Sequence, residues 1–407
     1  MLSTVRCAIP LLLSTIFLLM GVGLLHTLVA LRGEALGFSV AMIGTLSAAY
    51  YAGFLIGTYT VPRMVHRIGQ IRAFAFCTTL LVVSVLVQAI GPIYGLWLAM
   101  RVLQGLLLVG LYVIIESWLN AAAEPRHRST LFSIYMMLNL GAGALAQQFL
   151  RLPGEGFVLF SVVAILFATA SLPVIDMRQQ QPRLHAMPKV QLARFFRLVP
   201  TAIVSACVAG LLLGALWGLL PVYAAAQGMD AGAVGTYVSA AVIGGMALQL
   251  PLGRLADRID RRLALAAISA AAAMIALAQL LLPVGGSTAA LVLIFAFGGM
   301  GFALYPIAMA HLVDYLDRDE LMSASSTVLL VNGVGSALGP LIAGNLMNRG
   351  EPRLLFAWFF ALSALLAAYA LYRFMRRRRD VSAQDHFVPL VNITAESLDR
   401  RAPDRER

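Results

Sequence analysis

The sequence predicts an all-α membrane protein: twelve transmembrane helices in two pseudo-symmetric six-helix bundles. Three observations carry that prediction. The 407 residues are 60% hydrophobic and only 12% charged, with a mean hydropathy of +0.85, too little charge to cover a soluble domain. Apolar runs of about 20 residues, the length that crosses a bilayer, recur along the chain. The first half of the chain also repeats in the second.

The runs follow in order. Cys7–Leu31 comes first. Arg6 before it imitates a signal peptide, but the run is too long and more spans follow. Ala35–Pro62, Ala73–Ile90, Ile93–Asn120, Ser129–Leu150 and Gly156–Ile175 complete the first six. Leu198–Gln227, Ala231–Leu252, Leu263–Pro283, Ala289–Val313, Leu321–Asn348 and Leu354–Tyr372 make the second six. The division is residues 1–176, a polar linker at 177–197, residues 198–373, and a basic, disordered tail at 374–407.

Arginine ends most runs, and it sets the orientation. One side collects Arg63, Arg67 and Arg72, then Arg126 and Arg128, the linker, Arg254 to Arg262, and Arg373 onward. The other side has Arg32, Arg151, Arg349 and Arg353. The richer side is cytoplasmic by the positive-inside rule, which puts both termini inside a bacterial inner membrane. The net charge of +11 would suggest nucleic acid in a soluble protein, but here it marks these loops. Cys7, Cys77 and Cys207 lie in apolar runs and form no disulfide or metal pattern. No metal, cofactor or nucleic-acid partner is implied. The expected partners are the lipid bilayer, a small-molecule substrate and protons, and the expected state is a monomer.

An offset of 191 positions lays "PRMVHRIG" at 62–69 on "GRLADRID" at 253–260, and Gly53 on Gly244. A slightly larger offset lays Asn139 on Asn332. Two such halves around a midplane site are a common build for secondary transporters.

The same residues carry a family resemblance. "GRLADRIDRR" at 253–262 resembles the loop signature of the major facilitator superfamily, and "RVLQG" at 101–105 is similar to its fourth-helix signature. The resemblance covers Cys7 to Tyr372. "ESWLN" at 116–120 resembles more narrowly a branch of bacterial transporters called YcaD-like. The resemblance implies the major facilitator fold, with no enzymatic activity. It also implies a cytoplasmic gate built from His66, Arg67, Gly69 and Arg72 in one half. In the other half the gate would be Gly253, Asp257, Arg258 and Arg261, with Asp314 as a latch to Arg261 or Arg262. In that pattern His66 stands where aspartate is usual, and Ala146–Gln147 replaces the antiporter-like Gly-Pro.

Charge inside a span is costly and marks function. Arg101, Gly105, Tyr112 and Glu116 fall within about 60° on one face of the fourth helix. Arg101 and Glu116 are separated by about 22 Å along it. Arg101 would place a fixed positive charge in a cavity, or tie two helices through backbone carbonyls. Glu116 would be a proton site, or a latch paired with Arg67 or Arg72. Trp118 beside it would be an interface anchor. His26 could relay a proton, and Trp217 is its counterpart under the 191-residue offset. Gln104, Asn139, Gln147 and Asn332 are further candidates for the substrate and proton pathway, or for interhelical glue.

The function read from this is a secondary active transporter. It moves a small organic molecule by rocker-switch alternating access, proton-coupled, with efflux ahead of uptake. An uncoupled facilitator or uptake porter is the alternative, and a non-transporting sensor or scaffold the alternative of another class.

Overall fold

The computed structural model describes residues 2–122, 128–153, 156–175, 190–282, 287–317 and 320–377. Residues 177–189 of the linker and 378–407 of the tail lie outside them. The helices are α1 (Leu2–Ala35), α2 (Val40–Ile68), α3 (Gln70–Ile90), α4 (Tyr94–Ala122), α5 (Arg128–Ala146) and α6 (Gly156–Ile175). They continue as α7 (Leu192–Leu198), α8 (Pro200–Ala226), α9 (Ala231–Arg258), α10 (Arg261–Leu281), α11 (Thr288–Val313), α12 (Leu321–Arg349) and α13 (Leu354–Arg377). Among the described residues no strand occurs.

Eleven of these helices are long and apolar enough to cross a bilayer. The twelfth is α5, whose α-helix stops at Ala146 and continues as a 3₁₀ segment, Gln147–Arg151. Other boundaries also differ from the sequence expectation. Pro62 lies inside α2, which runs on to Ile68 and carries His66 and Arg67 in its last turn rather than in a loop. A membrane helix tolerates proline where its neighbours reshape around the freed carbonyl. α13 extends to Arg377, into the first residues of the predicted tail.

The linker contains α7, which the sequence reading missed. It is short, and one residue holds it: Phe195 is fully buried among Val199, Ile203, Leu312 and Val328. Arg194 pairs with Glu320, and the Gln191 amide donates to Thr327 Oγ1 at 3.1 Å.

The internal repeat is structural. Gly37 and Gly228, 191 positions apart, both take φ of 80°, a left-handed turn that favours glycine. Ser39 and Asp230, at the same offset, cap α2 and α9 by accepting from the amides of Met42 and Ala233. Each half has its own core. One cluster is drawn from positions 11 to 174. The other is drawn from 209 to 370, with Ala30 and Ile43 added from across the interface.

Lipid is as apolar as leucine, so close packing rather than water exclusion holds such helices together. Glycine supplies it here. A Cβ on Gly53 would strike the Val102 carbonyl of α4, and one on Gly105 the Tyr50 carbonyl of α2. In the second half, Gly244 meets the Phe295 carbonyl and Gly298 that of Ala241.

Two of the contacts between the halves form seams at one end of the bundle. Gly44 of α2 lies on the Pro340 carbonyl of α12, and Gly235 of α9 on the Gln147 carbonyl of the 3₁₀ segment. The second seam adds hydrogen bonds. Gln148 Nε2 donates to Ser239 Oγ at 3.1 Å, Ser239 Oγ to the Ala144 carbonyl at 2.8 Å, and Arg151 to Thr236 Oγ1 at 3.0 Å. Both seams gather at the end of the bundle that holds the α1–α2 and α8–α9 turns, the far end from the α2–α3 and α9–α10 turns.

Candidate functional site

Below the seams lies a cavity of about 160 Å³ walled by both halves. α1 contributes His26, α2 Tyr50 and Tyr51, α4 Tyr112, α5 Asn139 and α8 Trp217. The His26 ring stands edge-on to Tyr50, with centroids 4.6 Å apart, and tilted to Trp217 at 6.1 Å. A second cavity of about 200 Å³ adjoins it between α2 and α12, sharing Tyr50 and Tyr51 and reaching Asn332. A larger, open depression of about 650 Å³, with Arg151 and Asp230 in its rim, lies at the far-end surface, away from these groups.

Arg101 sits behind this wall rather than in it, with 1% of its surface exposed. Nη2 is 3.0 Å from His26 Nδ1, and Nη1 donates to Gln104 Oε1 at 3.0 Å. The guanidinium also lies 4.7 Å from the centre of the Tyr50 ring. Gln104 Nε2 donates in turn to Gln88 Oε1 at 2.6 Å and Ser84 Oγ at 3.2 Å. Every partner of Arg101 is thus neutral, and its Nε has none. Leaving a buried cation without a counterion costs several kcal/mol.

Glu116 lies at the other end of the same face of α4. Tyr135 of α5 donates to its Oε1 at 3.3 Å. Asn139, one turn further along α5, lines the cavity. Glu116, Tyr135 and Asn139 thus place polar groups in sequence between that end of α4 and the cavity that His26 also lines. Trp118 is not an interface anchor: it is buried in the core of the first half.

Gln147 and Asn332 tie helices together. Gln147 Nε2 donates to the Gly23 carbonyl at 2.9 Å, and Asn332 Nδ2 to that of Ala206 at 3.0 Å. Tyr50, Ser84 and Gln88 are site residues that sequence reasoning passed over. Gln88, a lone amide in an apolar run, carried a usable signal. Tyr50 looked like any core aromatic.

The two loop signatures differ in what they hold. Arg261 reaches Asp257 at 3.0 Å and Asp314 at 2.6 Å, while Arg262 donates to the Tyr315 hydroxyl at 2.7 Å. Gly253 and Arg258 lie on the last turns of α9 without a partner in this network. In the first half His66, Arg67 and Arg72 are exposed and form no ion pair among the described residues. Gly69, with φ of 84°, ends α2 and opens α3.

Burial pushes the Asp314 carboxyl up from its ordinary value, against the pull of Arg261. A carboxyl that holds its proton more tightly when folded contributes less stability as pH rises through its folded pKa. The ion pair therefore positions α10 on α11 more than it stabilises them. Asp314→Asn is expected to leave the Tm within about 2 °C at neutral pH. Arg261→Ala, which leaves two carboxylates facing each other, is expected to lower it by several degrees. Thermal unfolding of the purified variants checks both.

A two-half helical membrane bundle with a polar cavity at its centre defines the class of secondary transporters. The family model of the Major Facilitator Superfamily matches residues 11–183 and 202–393, and the chain belongs to that superfamily. Among curated relatives, the uncharacterized MFS-type transporter YcaD of Salmonella typhimurium is 27% identical over 367 residues, 88% of this chain and 93% of YcaD. The MFS-type transporter Ent638_1421 of Enterobacter sp. (strain 638) is 28% identical over 354 residues, 86% of this chain and 91% of its own. Solved structures share the fold. A mutant form of the nucleoside transporter NupG has a TM-score of 0.74 at 17% identity, over 90% of this chain and 100% of NupG. A bacterial homologue of the lysosomal transporter Spinster, inward-facing and occupied, has a TM-score of 0.72 at 14% identity, over 94% of this chain and 99% of its own. A D-xylose–proton symporter has a TM-score of 0.69 at 14% identity, over 89% and 96%. The chain is a transporter of this fold and not an enzyme.

Proposed function

We propose that this protein carries a small organic molecule across the bacterial inner membrane by rocking its two halves about the central cavity, coupled to protons. One observation supports this above others: a buried arginine and histidine, joined to each other, back a cavity that both halves line. The arginine-rich loops support a cytoplasmic terminal side. The far end is then periplasmic, and its closed seams make this the inward-facing state.

In this cycle Glu116 is the cytoplasmic port for the proton, and Tyr135 and Asn139 relay it to the cavity. The gate residues Asp257, Arg261 and Asp314 keep the second half rigid while the halves rock. Reconstituted proteoliposomes with a pH-sensitive dye inside test the reading. Pools of metabolites and drugs should give substrate-dependent proton movement, and its sign gives the direction of coupling. Glu116→Gln is expected to retain substrate exchange and lose proton movement. Substrate movement with no proton signal in the wild type would make the protein a facilitator. No gradient-driven movement of any compound would make it a sensor or scaffold.

A further inference from the structure

The geometry points to a small organic anion with an apolar body as the cargo of this cavity, bound together with a proton held by His26. This rests on the transporter reading above and names its substrate class.

One hydrogen bond fixes the protonation of His26. Arg101 Nη2 lies 3.0 Å from His26 Nδ1. A guanidinium has donors and no acceptor, so Nδ1 must accept. The ring is therefore neutral, with its proton on Nε2. Protonating Nδ1 removes that acceptor and sets one cation against another at hydrogen-bond distance. The titratable or charged groups that face His26 are Arg101 and Tyr112 of α4 and Tyr50 and Tyr51 of α2. α5 presents Asn139, α8 presents Trp217, and α6 contains no titratable residue. None of these groups is negative near neutral pH. Nothing in the wall can hold a second positive charge in place.

An anion can. Once a protonated His26 parts from Arg101, the ring and the guanidinium each have a free donor at the cavity wall. A carboxylate has two oxygens for the two donors. Arg101 already has one orphaned donor, Nε, in its buried position. Proton and anion then bind cooperatively, and each raises the other's affinity by the same factor.

The rest of the cavity sets the body of the cargo. Leu19, Val22 and Val242 line it beside the aromatic rings, and the adjoining cavity adds Phe54, Leu55 and Leu329. Neither is lined by a lysine, an arginine or a carboxylate among the described residues. Rings and apolar walls around a few polar groups suit a compact aromatic or aliphatic body. Anion and proton travel together, so an inward proton gradient drives uptake. That is the reverse of the efflux direction read from the sequence.

The test uses the purified full chain and three probes: phenylacetate, benzoate and hexanoate, each with its neutral amide. Calorimetry in two buffers of different protonation heat gives affinity and proton uptake together. We expect at least one acid to bind, its amide not to, and about one proton to be taken up per anion. Affinity should rise by up to ~10-fold per unit as pH falls between about pH 8 and 6. His26→Gln keeps an acceptor for Arg101, so binding should persist without the proton uptake or the pH slope. Arg101→Gln should lose binding. Amides that bind as well as acids overturn the inference, and so does a pH slope unchanged in His26→Gln. If no acid binds, the inference also fails. The transporter reading stands through all of these outcomes as long as the proteoliposomes move any neutral or cationic compound.

Discussion

Arg101→Ala is expected to abolish transport in a protein that still folds and accumulates. The side chain makes two hydrogen bonds and one ring contact, all to neutral groups. Truncation leaves the His26 and Gln104 acceptors without a donor, which costs about 1–3 kcal/mol each if no water enters. It also removes a buried cation, whose desolvation penalty is several kcal/mol. The two effects oppose, so the Tm should move by only a few degrees. Function has no such compensation. Losing a charge-assisted contact to the cargo, about 3 kcal/mol, corresponds to roughly 100-fold in transport. Arg101→Lys should recover part of it, because an ammonium supplies charge without the planar fork. Counterflow in proteoliposomes, run beside thermal unfolding, separates the two quantities. Undiminished transport in Arg101→Ala would remove this residue from the mechanism.

Gly44→Leu has an effect of similar size by a different route. Its new side chain would meet the Pro340 carbonyl of α12, backbone that cannot rotate aside. The far end could then no longer close. The variant should fold, because neither half's core is touched, and should lose transport by more than ~10-fold. Labels at the far ends of α2 and α12 should sit farther apart than in the wild type. Gly105→Leu is the control. It wedges α2 from α4 inside one half, against the Tyr50 carbonyl, and should prevent accumulation of folded protein. If Gly44→Leu fails to fold in the same way, its seam belongs to the fold and not to the gate.

The fold was legible because the signals that make it are local in sequence. Apolar runs, arginine punctuation and the 191-residue offset each survive without knowledge of packing. α7 was not legible: seven residues give little periodicity, and its anchor is a single phenylalanine. The site was half legible. Intramembrane charge singled out Arg101, Glu116 and His26 one at a time. That Arg101 reaches His26 depends on how α4 meets α1, which no spacing in one helix reveals. The sequence face of α4 suggested a cation in the cavity, whereas packing sets Arg101 behind His26 and Tyr50. Glu116 was read as a proton site or as a latch to loop arginines, and its Tyr135 contact again depends on a neighbouring helix.

The two seams that close the far end are unequal, and under the proposed rocking cycle they would part at different cost. Between α2 and α12, backbone rests on glycine and no hydrogen bond crosses near Gly44 among the described residues. Between α5 and α9, Gln148, Ser239 and Arg151 must each trade a protein partner for water before the surfaces part. A dry contact without directional bonds can slide and roll at low cost, while a bonded one releases only where water reaches it. In the proposed cycle the α2–α12 seam would therefore open at the lower cost. The α5–α9 seam would be the clasp of that cycle, and solutes that compete for hydrogen bonds should act mainly on it.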